Sequence, residues 1–166
     1  MNRRPDHPLA GPGQESVWEY PRPPRLEPTP RLLEVVFANQ TIAATRQGFR
    51  VLETTHPPLY FISFDDIVHG TLIPVEGTTR CEWKGVASYF DVRFGGRVAH
   101  RAAFTYSEPV KRYEAIRGYV SFYARLMDEC RVDGEVVEPQ PGDFYSGWIT
   151  QDVIGPFKGG PGTWGW

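Results

Sequence analysis

Prolines and glycines interrupt this chain so often that no long helix has room to form. There are 16 prolines and 17 glycines in 166 residues, and half of the prolines fall within residues 1–31. Proline removes a backbone donor and fixes φ, so a stretch such as "YPRPPRLEPTP" reads as extended polyproline II chain. Trp18, Tyr20 and Leu26 give that stretch apolar groups to bury. The expected layout is therefore a flexible tail over residues 1–14. A single domain follows over residues 15–166, with a Pro-rich N-terminal strap and a Gly-rich aromatic C-terminal tail.

From Leu32 the apolar residues alternate with period two, the signature of strands with one face turned to a core. "LLEVVFANQTIAATR" predicts a hairpin around Asn39-Gln40, and "FRVLET" and "LYFIS" predict two strands split by the stiff "THPP". "SFDDIV" reads as one helical turn capped by Ser63. "TLIPV", "TRCEW", "VASYFDVRF" and "RVAHRAAFTY" continue the sheet, with a two-residue turn at Gly95-Gly96. "VKRYEAIRG" is the clearest helix, ended by Gly118. "YVSFYARLMDE" leans toward strand, and "ECRVDGEVVEP" is a hairpin on Asp133-Gly134. The fold class is mainly β: a single domain with one or two short helices.

Charge narrows the partners. Lys plus Arg total 18 and Asp plus Glu total 20, a net charge of −2. That balance argues against nucleic-acid binding by phosphate neutralisation. No segment approaches the roughly 18 apolar residues of a membrane span, and the first residues lack the apolar run of a secretory signal. A cytoplasmic protein with free thiols at Cys81 and Cys130 is expected.

Within "RCEWKG", strict alternation puts Cys81 and Trp83 on one face and Arg80, Glu82 and Lys84 on the other. Cys81 then packs as a small hydrophobe, while Lys84, between an indole and a glycine, suits an anionic group or a solvated strand edge. With Phe94 facing Arg97 across the turn, Tyr89 falls opposite Ala102 and Asp91 opposite His100. The latter is an acid–base pair or an ordinary cross-strand pair. In "ETTHPP", Glu53 ends a strand and His56 opens a rigid loop, where catalytic groups are often held. His56, His69, His100 and Cys81 lack metal-ligand spacing, so no metal site is expected. "GPFKGGPGT" fails as a phosphate loop, because Lys158 precedes the glycine pair and Pro161 blocks a helix.

Four motifs carry a resemblance: "RVLETTHPPLYF", "CEWKGVASYFDV", "FTYSEP" and "GYVSFY". In this order, and with similar ends, the chain from Glu15 to Trp166 resembles the bacterial family catalogued as domain of unknown function 427. The resemblance implies a compact single β-domain, a coiled β-sheet or barrel-like arrangement. It marks Glu53, His56, Tyr60, Cys81, Lys84, Gly85, Tyr89, Tyr106 and Tyr123 as recurrent positions. Some catalogues attach a nucleotidyltransferase label to the family. That chemistry needs clustered carboxylates around Mg²⁺, and the adjacent acidic pair Asp65-Asp66 reads better as the start of a helical turn. The sequence names no cofactor.

The expected function is a small-ligand-binding domain for a phosphorylated or nucleotide-like compound. Lys84 holds the anion, His56 and Glu53 act as acid–base groups, Trp83 and Tyr89 serve as walls, and Cys81 lies beside them. The alternative is a non-catalytic interaction module, homo-oligomeric through its aromatic C-terminal tail.

Overall fold

Short turns fold the alternating segments back on one another, and sheets follow from that alone. The computed structural model describes residues 5–166; residues 1–4 of the expected tail lie outside the described residues. Fifteen strands form among the described residues. The first six are β1 (Glu15–Ser16), β2 (Arg25–Thr29), β3 (Leu33–Phe37), β4 (Gln40–Thr45), β5 (Gly48–Leu52) and β6 (Leu59–Ser63). Three long ones follow, β7 (Leu72–Cys81), β8 (Gly85–Phe94) and β9 (Arg97–Pro109). Then come β10 (Tyr119–Phe122), β11 (Glu129–Val132), β12 (Glu135–Val136), β13 (Glu138–Pro139), β14 (Trp148–Ile149) and β15 (Val153–Ile154).

A seven-stranded sheet runs in the order β2-β5-β6-β10-β9-β8-β7, and a four-stranded sheet runs β12-β11-β3-β4. The larger sheet does not close: β2 and β7 remain its edges, so the domain is a mainly β sandwich-like stack and not a barrel. Every helical segment among the described residues is a short 3₁₀ turn, four in all. Ser63 caps one of them, its Oγ accepting from the Asp65 N–H. The helix expected over "VKRYEAIRG" is a pair of 3₁₀ turns, Lys111–Ile116, kinked at Tyr113. "YVSFYARLMDE" is strand only as far as Phe122 and then turns. No helix among the described residues is long and apolar enough to cross a membrane.

The central strands of the large sheet are buried on both faces. Tyr60, Ile62 and Ala103 pack one way, against Leu33, Val35 and Phe37 of the small sheet. Phe61, Phe104 and Tyr106 pack the other way, with Val51, Tyr113 and Ile116. Each buried aromatic contributes about 1.5–3 kcal/mol relative to exposure. That second face carries the cavity described below.

Register departs from the expectation in instructive ways. The first hairpin turns one residue early, on Ala38-Asn39, where both φ angles are positive and Phe37 pairs with Gln40. "TLIPV" and "TRCEW" are one strand, β7, with a bulge between Val75 and Thr78. Phe94 does pair with Arg97, and Arg93 with Val98. Beyond Val92 a bulge shifts the pairing, so that Tyr89 faces Phe104 and not Ala102. The slip there is two residues, and an even slip keeps every side chain on its face. Tyr89 therefore still joins Phe104 and Tyr106. Asp91 still meets His100, at 3.1 Å, with Arg101 donating its backbone N–H to the same carboxylate at 2.8 Å.

The two ends of the described chain meet. β1 pairs in parallel with β15, Glu15 beside Val153. Trp18 stacks on His7, 5.2 Å between rings, and meets Trp166 at 5.3 Å. Trp164 stays 74% exposed. The cis X-Pro bonds are Arg22-Pro23 and Gly155-Pro156, outside "ETTHPP".

Candidate functional site

The opening geometry comes from a turn that strict alternation missed. β7 ends at Cys81, which pairs with Gly85, and Glu82-Trp83-Lys84 makes a three-residue turn between them. Lys84 is consequently swung inward. It is 5% exposed, whereas an uninterrupted strand would have sent it away from Cys81. Gly85 makes the turn possible: its φ is +116°, and a Cβ there would sit 3.1 Å from the Glu108 carbonyl oxygen. The Lys84 carbonyl accepts from the Val110 N–H at 2.9 Å, which pins the turn to the end of β9.

Lys84 lines a cavity of about 250 Å³ on the second face of the large sheet. The floor is aromatic, with Tyr89, Phe104, Tyr106 and Tyr123. The walls carry Glu53, His56, Cys81, Trp83 and Lys158. All six residues selected from the sequence therefore surround one space: His56, Glu53, Lys84, Trp83, Tyr89 and Cys81. Tyr89 is held there by a 2.7 Å hydroxyl contact to Thr79 and by the Arg101 guanidinium 4.1 Å over its ring.

The Lys84 side chain makes no hydrogen bond or salt bridge to any described residue. Its Nζ lies 5.6 Å from the centroid of the Tyr106 ring, near the outer limit of a cation–π contact. Burial disfavours the ammonium and lowers the pKa, while Cys81 and Glu53 oppose that trend. Burial, with help from Cys81, pushes the Tyr106 hydroxyl up, so it remains a phenol and a proton donor.

His56 is fixed by a residue that sequence reasoning missed. Gln140, only 3% exposed, accepts the Gly147 N–H through Oε1 at 3.0 Å. Its amide nitrogen then faces the Lys158 carbonyl at 2.9 Å and His56 Nδ1 at 3.0 Å. The amide can only donate there, so Nδ1 accepts and the imidazole proton sits on Nε2. Nε2 faces Glu53 Oε2 at 3.6 Å. Burial, and then the charges of Lys158, Lys84 and Arg22, drive the His56 pKa down to about 3. The contact to Glu53 is thus a neutral N–H directed at a carboxylate rather than an ion pair. Glu53 has its charge partner in Arg22, at 3.1 Å.

Tyr145 and Lys158 were also missed. Tyr145 stands edge-on to His56 at 4.8 Å, and Lys158 Nζ lies 5.8 Å from the Tyr145 ring centroid. Nothing local in "EPQPGDFYSGW" marks a cavity wall; the informative residue is Gly147, whose Cβ would strike Gln140 and Pro57. Asp65 and Asp66 lie in their 3₁₀ turn, away from the cavity lining. Among the described residues no three His, Cys, Asp or Glu side chains are grouped as a metal site.

A family model described as Domain of unknown function (DUF427) matches residues 25–133. The chain belongs to this family. The DUF427 span supplies Glu53, His56, Cys81, Trp83, Lys84 and Tyr89, the whole set drawn from the sequence. It ends before Gln140, Tyr145 and Lys158, so the opposite wall of the cavity comes from outside the DUF427 match. No curated protein matches the chain.

Proposed function

We propose that this chain is a small-ligand-binding domain and that the cavity around Lys84 is its binding site. One observation carries the reading: a lysine only 5% exposed, with no hydrogen-bond or salt-bridge partner among the described residues, borders an aromatic cavity. A ligand's polar group entering the cavity would give that amine the hydrogen-bond partner it lacks within the chain. The aromatic floor suits a planar ring, with Tyr89 and Trp83 as walls and Cys81 at the side. Acid–base work falls to His56 and Glu53, the first as an Nε2–H donor and the second as a carboxylate.

A volume of about 250 Å³ lies just under the roughly 300–1,000 Å³ of drug-sized sites. Among phosphorylated or nucleotide-like compounds the cavity favours compact ones, such as a ring with one acidic group. Residence in the bacterial cytoplasm belongs to the same reading, supported by the two unpaired cysteines, Cys81 and Cys130.

The test is a thermal-shift panel of adenosine monophosphate, phenyl phosphate and benzoate on the wild type and Lys84→Ala. A compound at about a hundred times its Kd adds roughly 2.7 kcal/mol, a rise of several degrees in a chain of this size. The expected result is a shift with at least one compound that Lys84→Ala abolishes while the variant still unfolds cooperatively. A shift undiminished in the variant overturns the role of Lys84, and no shift across the panel overturns the reading.

The interaction-module reading has its own observation, the exposed Trp164 and the 60% exposed Phe144, which lie together beside Lys158. Its test is the C-terminal deletion described in the Discussion.

A further inference from the structure

Anion sites usually present several fixed donors: backbone N–H groups, a helix N-terminus or a forked guanidinium. Among the buried polar groups of this cavity is instead an amine set among rings. Lys84 has Tyr106 beneath it and Tyr89, Phe104 and Tyr123 nearby. Several charged and titratable groups share the cavity with the amine. From β7 there are Arg80 and Cys81, from the turn after it Glu82, from the β5–β6 loop Glu53 and His56, from β8 and β9 Tyr89 and Tyr106, and from the later segments Tyr123, Tyr145 and Lys158. Glu53 is paired with Arg22, His56 is neutral, and Lys158, on the facing wall, donates from Nζ to the Trp166 carbonyl oxygen at 3.3 Å. A desolvated amine in an apolar, ring-lined pocket is an arrangement that turns a lysine into a nucleophile.

We propose that Lys84 is a nucleophilic lysine that forms a Schiff base, inside this cavity, with a small planar aldehyde or ketone bearing an acidic group. The proposal rests on the cavity being a ligand site and names its substrate class. The Lys84 nitrogen pair forms the C–N bond while the carbonyl π pair moves to oxygen. Oxygen takes one proton and nitrogen gives one up, leaving a neutral carbinolamine. A second proton on oxygen lets the C–O bond break and water leave, and the nitrogen pair closes the C=N bond. The products are one iminium and one water, with one net proton drawn from solvent. The donors lining the cavity are the Tyr106 hydroxyl and His56 Nε2–H, and the carboxylate nearest the new cation is Glu53. The ligand's acidic group would meet Lys158, whose Nζ also donates to the Trp166 carbonyl oxygen at 3.3 Å.

The chain's composition makes the test clean, because its only lysines are Lys84, Lys111 and Lys158. Full-length protein is treated at pH 7 with sodium cyanoborohydride and either 4-carboxybenzaldehyde or the smaller glyoxylate, and each lysine is quantified by peptide mapping. An ordinary lysine is neutral in roughly one molecule in 2,500 at that pH, and a merely buried one is shielded from reagent. The expected result is labelling of Lys84 at least about tenfold faster than exposed Lys111 with one of the two probes, slowed by excess benzoate. Lys84 labelling no faster than Lys111 with both probes overturns the proposal. Benzoate stabilisation measured in parallel separates the two readings. If it persists without selective labelling, the ligand site stands and the nucleophile falls; if both fail, both readings fall.

Discussion

Gln140 decides which proton His56 can carry. Because the amide is locked by the Gly147 N–H and the Lys158 carbonyl, its remaining N–H must be met by an unprotonated Nδ1. Burial then keeps the whole ring neutral. The linkage has a definite sign. The folded pKa of about 3 lies below the ordinary 6.5, so the unfolded chain takes up the proton first as pH falls. The stability tied to this histidine is complete above pH 6.5 and is lost progressively toward pH 3. Between pH 7 and pH 4 the wild type should lose about 3 kcal/mol more than His56→Gln, measured by urea unfolding at both values. The lowered carboxyl groups of Glu15, Asp91, Asp128 and Asp133 are common to both proteins and cancel in the difference. Equal losses in the two proteins would show that His56 titrates normally.

Turns, more than strands, set the positions of the functional groups. The sequence made the strands around Phe61, Phe90 and Phe104 legible, because alternation is a local property. Bulges are not: nothing in "FDVRFGGRVAHRAAF" announces the two-residue slip beyond Val92. The face of Tyr89 survived only because that slip is even. Lys84 shows the opposite outcome, since treating "RCEWKG" as unbroken strand reversed its direction. Gly85 was the available clue, as the residue able to hold φ +116°. A comparable constraint governs the loop around His56. A Cβ on Gly147 would lie 2.6 Å from both Gln140 Oε1 and Pro57 Cγ, so Gly147→Ala should cost about 2–3 kcal/mol and move the His56 ring. Denaturant melts and the imidazole ¹⁵N shifts check it; an unchanged midpoint would mean that the loop relaxes freely.

Across the whole molecule, the N- and C-terminal segments complete a third apolar cluster of Val17, Trp18, Tyr20, Leu52 and Val153, with Trp166 packed against it. Deleting residues 155–166 removes the Trp18–Trp166 contact, the Pro156 carbonyl that accepts from the Trp18 indole at 2.9 Å, and the Lys158 N–H that bonds to Thr55 at 2.8 Å. The expected loss is about 3–5 kcal/mol, read from a denaturant melt. Light scattering on the same protein addresses the interaction reading: an unchanged oligomeric state removes the tail as an interface. This long-range closure was the least legible part of the sequence, because Gln140 and Lys158 reach His56 across 84 and 102 positions of chain.

The division of the cavity between the DUF427 span and the residues after it has a consequence for how such a site changes. The turn that carries Lys84 is braced by β7, β8 and β9, whereas the facing side hangs on glycine-rich chain from Gln140 to Thr163. Substitutions in that outer panel reshape the far wall of the cavity and leave the braced turn that carries Lys84 untouched.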